Sequence, residues 1–144
     1  MTEPLELITD VSQLSSTCYF EFLPGKYEGV CWNKQSVYLA EEVFDIIEGL
    51  VRSIVPNFDH YAFHEVDAPT VDRLINTLRD SARKIEQAQS PSDLTAILYL
   101  HSQTVIDLKD IYTKQASVTT MMRELSNWLE ETIKSHTTIS VLGM

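Results

Sequence analysis

The sequence predicts an α+β fold: a small antiparallel N-terminal sheet, made of a β-hairpin plus one or two short strands, packed with about four α-helices. Two observations predict it. Apolar residues alternate with polar ones through residues 18–40 and again through 60–66, but recur at helical spacing from Glu41 onward. Turn and cap signals fall between these segments, where chain reversals belong. A chain of 144 residues, 44% hydrophobic and 22% charged, fits one domain, 1–144, with its own core.

Residues 18–23, CYFEFL, and 28–33, EGVCWN, flank Pro24-Gly25-Lys26, a strong turn signal. They predict a hairpin in which Leu23 faces Glu28, Phe22 faces Gly29, Glu21 faces Val30, Phe20 faces Cys31 and Tyr19 faces Trp32. Residues 36–40, SVYLA, predict a third short strand. Val43, Phe44, Ile47, Leu50, Val51, Ile54 and Val55 then form a helical stripe that Pro56-Asn57 ends, with Glu41, Glu42, Asp45 and Glu48 on its other faces.

His60 to Val66 predicts a last strand. Asp67-Ala68-Pro69 opens a helix to about Gln89, with Val71, Leu74, Ile75, Leu78, Ala82 and Ile85 inward. Ser90-Pro91-Ser92-Asp93 opens another, to about Tyr112, whose apolar residues cover more than one face and predict deep burial. A final helix spans about 117–135, with Met121 and Met122 in its core stripe. The tail TTISVLGM either frays or adds a strand.

Net charge is −10, and residues 1–67 carry −9 of it. Such a field repels nucleic acid and attracts basic surfaces, so no direct nucleic-acid binding is expected. No stretch is long and apolar enough to span a bilayer, and the acidic start lacks a signal-peptide pattern, so a cytoplasmic protein is expected. Cys18 and Cys31 match neither a zinc pattern nor a disulfide framework and are expected to be reduced and buried.

Motifs for catalysis are scarce. The four glycines build no phosphate loop, and no GxSxG or HExxH occurs, so no catalytic or cofactor-binding residue is assigned. The densest polar cluster is Asp59-His60-Tyr61-Ala62-Phe63-His64-Glu65-Val66-Asp67. On a strand, at ~3.3 Å per residue, His60 and His64 stand roughly 13 Å apart, too far to share one metal, so no metal or cofactor is expected. His101 lies on an apolar helical line and reads as a core residue.

The predicted hairpin places Cys18, Phe20, Phe22 and Cys31 on a core face. Tyr19, Glu21, Glu28 and Trp32 fall on the other. Aromatic area beside carboxylates suits a basic protein partner, and Tyr19, Glu21, Glu28, Trp32, Asp59 and Glu65 are the expected partner-binding residues.

The stretches CYFEFLPGKYEGVCWN and VPNFDHYAFHEV, about residues 18–67, resemble the bacterial immunity proteins of contact-dependent growth inhibition and related polymorphic toxin systems. The resemblance implies a cytosolic, non-enzymatic inhibitor that binds the C-terminal toxin domain delivered by a neighbouring cell, often a nuclease. Nucleases hold phosphates in basic clefts, so an acidic binder is physically apt. Two other readings stand beside it. One is a small metal-dependent or hydrolytic enzyme using Asp59, His60, His64, Glu65 and His101. The other is a helical adaptor or antitoxin-like regulator that dimerises through its 91–112 helix.

Overall fold

A computed structural model describes residues 5–15, 18–100 and 106–144. The protein is α+β, with one four-stranded antiparallel sheet and five helices among the described residues. In chain order these are β1 (Tyr19–Pro24), β2 (Val37–Ala40), α1 (Glu41–Ile54), β3 (Phe63–Asp67), α2 (Ala68–Glu86), α3 (Asp93–Ile97), α4 (Leu108–Thr113), α5 (Gln115–Thr132) and β4 (Thr138–Leu142).

Strand order is β2-β1-β4-β3. The tail of the sequence is therefore a central strand, inserted between β1 and β3. The predicted hairpin does not form. Tyr19, Phe20, Glu21 and Phe22 pair instead with Ala40, Leu39, Tyr38 and Val37 of β2. Gly25 stays with the sheet, its N–H donating to the Thr138 carbonyl at 2.8 Å, so Pro24-Gly25-Lys26 does not reverse the chain onto a partner strand. Residues 25–36 form a loop, with left-handed backbone at Gly29 (φ 94°) and Trp32 (φ 64°) that no regular strand tolerates. Cys18 and Cys31 are consequently exposed and not on a core face.

The alternation within β1 holds. Phe20 and Phe22 point to the face covered by α1, where Phe20 stacks on Phe44 with ring centroids 3.7 Å apart. α1 buries Val43, Phe44, Ile46, Ile47, Leu50 and Val51 there, and its acidic first turn, Glu41 and Glu42, sits at the positive end of the helix dipole. α2 starts where predicted. The Asp67 carboxylate accepts from the Thr70 N–H at 3.0 Å, and Val71, Leu74, Ile75, Leu78, Ala82 and Ile85 are buried. α5 packs along α2, with Met121 and Met122 in the same connected core as the sheet.

The long helix predicted over 91–112 is replaced by two short ones, α3 and α4. Tyr99 adopts φ 54°, and a new cap starts α4, with Asp107 accepting from the Asp110 N–H at 3.2 Å. Among the described residues of this stretch, deep burial is confined to Leu94, Leu98 and Ile111. His101 lies outside the described residues.

Candidate functional site

The sheet face opposite α1 carries three of the residues expected to meet a partner, Tyr19, Glu21 and Glu65. Register sets them in two rows: Tyr38–Glu21–Leu142–Phe63, and Leu23–Ser140–Glu65. Loop 25–36 folds back over the β1 side of this face. Its anchor is Glu21, only 2% exposed. One carboxylate oxygen accepts from the Trp32 N–H at 2.6 Å. The other accepts from the Asn33 N–H at 3.0 Å, Asn33 Nδ2 at 2.9 Å and Ser36 Oγ at 2.6 Å. The Tyr38 hydroxyl donates to the Asn33 carbonyl, and its pKa is pushed up to about 12 by burial and by the Glu21 charge.

Tyr19 is also buried and meets Trp32 edge-on, centroids 6.2 Å apart. Tyr19, Glu21 and Trp32 thus come together, but as the base of a loop. Tyr19 and Glu21 lie beneath the surface and only Trp32, 41% exposed, reaches it. Glu28 is exposed on the same loop and Glu65 on β3. Asp59 is exposed in the turn before β3, where its carboxylate accepts from the Tyr61 N–H at 2.9 Å.

Two exposed aromatics, Phe63 on this face and Tyr61 in the turn before β3, were not singled out by the sequence reading. Phe63 is 45% exposed and meets Tyr27 of the loop edge-on at 4.9 Å, and Tyr61 is 74% exposed. The signal for Phe63 was present: it alternates with His64 and shares a face with Glu65.

A second cluster lies on α1. Glu41, Asp45 and Glu48, spaced along one helical face, meet His60 from the turn before β3. His60 Nδ1 lies 2.5 Å from Glu48 Oε1 and Nε2 lies 2.7 Å from Glu41 Oε2. Both ring nitrogens facing carboxylates favour the imidazolium. Burial opposes that charge, but the hydrogen bonds to Glu41 and Glu48 and their charges outweigh it, and the His60 pKa is raised. Asp45 is pushed up to about 6 by burial and by the charges of Glu48, Glu41 and Glu42, with His60 opposing.

Among the described residues, Asp45, Glu48 and His60 offer ligand atoms within 4.8 Å of one another. His60 and His64 do not converge. His64 stacks on Phe58, and its Nε2 accepts from the Asp59 N–H at 3.0 Å. The grouping Asp59–His60–His64–Glu65 is therefore not assembled as one ligand set.

No family model matches the chain, and no curated protein or solved structure does either. No helix among the described residues is long and apolar enough to cross a membrane.

Proposed function

We propose that this chain is an immunity protein: it binds a cognate toxin domain, a basic nuclease, and neutralises it by covering the active site or an adjacent surface. It acts in the cytoplasm and catalyses nothing itself. The observation that carries the reading is the acidic and aromatic surface formed by Trp32 and Glu28 of the 25–36 loop with Phe63 and Glu65 of β3, in the half of the sequence that holds −9 of the net charge. Exposed rings supply contact area that is desolvated on binding, and the carboxylates steer a basic partner. Tyr19 and Glu21 contribute from below, by fixing the loop that presents Trp32 and Glu28.

The test is co-expression with the toxin-like reading frame encoded immediately upstream. Cells carrying both survive, and cells carrying the toxin alone do not. Absence of such a frame, or death of the co-expressing cells, defeats the reading. The association rate with the purified toxin falls steeply between low and high salt; a rate unchanged by salt removes the electrostatic part of the argument.

The Asp45–Glu48–His60 grouping favours a second reading, a metal-dependent hydrolase. Stoichiometric zinc or manganese in the purified protein would support it.

A further inference from the structure

The two edges of the sheet differ. At β2, Ile8 bridges the outer side of Tyr38, exchanging hydrogen bonds of 2.9 and 2.8 Å, so that edge is covered. At β3 the pairing pattern fixes what points outward. The Gly143 N–H donates to the Ala62 carbonyl at 3.2 Å and the Ala68 N–H to the Thr137 carbonyl at 3.0 Å. These bonds lie two residues beyond the His64–Val141 and Val66–Ile139 pairs, so His64 and Val66 turn their backbone groups toward β4. Phe63 and Glu65 turn theirs away from the sheet, as does the Asp67 N–H. Among the described residues, none of these outward groups has a backbone partner in the sheet. An open row of donors and acceptors is a template for another strand.

The side chains along this edge select what can be added. Phe63, Glu65 and Asp67 are exposed on one face. From residue 53 to residue 72 the chain has four acids, Asp59, Glu65, Asp67 and Asp72, and no lysine or arginine. A second copy of the chain is a poor occupant: antiparallel pairing centred on Glu65 sets Glu65 against Glu65, between two molecules each of charge −10. An alternating strand fits this edge when its basic residues stand on the face of Phe63, Glu65 and Asp67 and its apolar residues on the opposite face, beside Val66.

We infer that the partner docks by adding one of its own strands, alternating apolar and basic residues, to the open edge of β3. The inference rests on the partner-binding reading above and specifies the surface that reading uses.

The probe is a capped heptapeptide, Val-Lys-Val-Lys-Val-Lys-Val, with its Val-Glu counterpart as control. With saturating Val-Lys peptide, amide exchange at Phe63, Glu65 and Asp67 slows by about tenfold or more. The Val-Glu peptide binds at least about tenfold more weakly, as does the Val-Lys peptide to Glu65→Lys. Glu65→Pro removes an N–H that points outward, which an edge strand tolerates, and abolishes the protection. Glu131→Gln, on α5, binds like the wild type. Circular dichroism melts establish that the variants fold, and Glu65→Lys decides the matter if the proline variant does not.

Absence of peptide binding, binding without protection at β3, or equal binding of the two peptides overturns the inference. So does protection that appears without peptide together with a dimer in sedimentation, which would make a second copy the occupant. Rescue of toxin-expressing cells by folded Glu65→Pro would overturn strand addition and leave the inhibitor reading standing. Failure of the wild type to rescue defeats the inhibitor reading itself.

Discussion

Glu21 does more for the loop than for the surface. Its carboxylate accepts two backbone N–H groups, an amide and a hydroxyl from residues 32–36. Glu21→Ala leaves those donors unsatisfied in a closed environment and costs roughly 2–4 kcal/mol, read from urea unfolding. Trp32 emission shifts to the red at the same time, because the indole loses its seat on Tyr19. A variant of wild-type stability and emission would show that the loop holds without this anchor. Alternation along YFEFL correctly put Glu21 opposite Phe20 and Phe22. Its burial was not legible, because its partners belong to a loop whose shape depends on a left-handed Trp32, and no local preference announces that conformation for tryptophan.

At the scale of elements, α1, α2 and α5 were legible because each is amphipathic and has a conventional boundary signal: Pro56 after α1, the Asp67 cap before α2, or a change of period. The β1–β2 pairing was not, because a proline-glycine turn competes with a longer loop and only tertiary contacts decide. The split between α3 and α4 has a readable counterpart on α1. A Cβ on Gly49 would lie 2.5 Å from the Leu98 carbonyl oxygen and 2.7 Å from that of Tyr99. Backbone cannot yield as a flexible side chain can. Gly49→Ala therefore destabilises by about 1–3 kcal/mol, although alanine favours a helix by ~1 kcal/mol at an open site. Thermal melting checks the sign: a higher Tm would mean that the 98–100 segment does not pack here. The acidic face of α1 was legible as a stripe, but its closure by His60 required the turn before β3, which strand alternation through 60–66 concealed.

For the whole molecule, that closure sets a pH dependence. The folded His60 pKa is raised above 6.5, so its stabilisation is complete below that value and is lost as pH rises through the folded pKa. Asp45 is raised from 3.8 to about 6, so the folded chain also holds this proton more tightly, and stability falls between those values as pH rises. Asp67, Asp80 and Asp110 are lowered by their partners and act oppositely, adding stability as pH rises through the acid range. Stability therefore peaks in mildly acidic solution. Above pH 6.5 the wild-type Tm falls more steeply with pH than that of His60→Gln. Parallel Tm profiles for the two proteins would remove His60 from the account.

The position of β4 has a consequence for biosynthesis. Both of its neighbours, β1 and β3, are translated long before residues 138–142, yet neither can complete its ladder without them. Until those residues clear the ribosome, β1 and β3 wait with unfilled edges while the intervening helices are already available to collapse. Closure of the sheet is the late, non-local step of folding, and the nascent chain exposes strand edges throughout that interval.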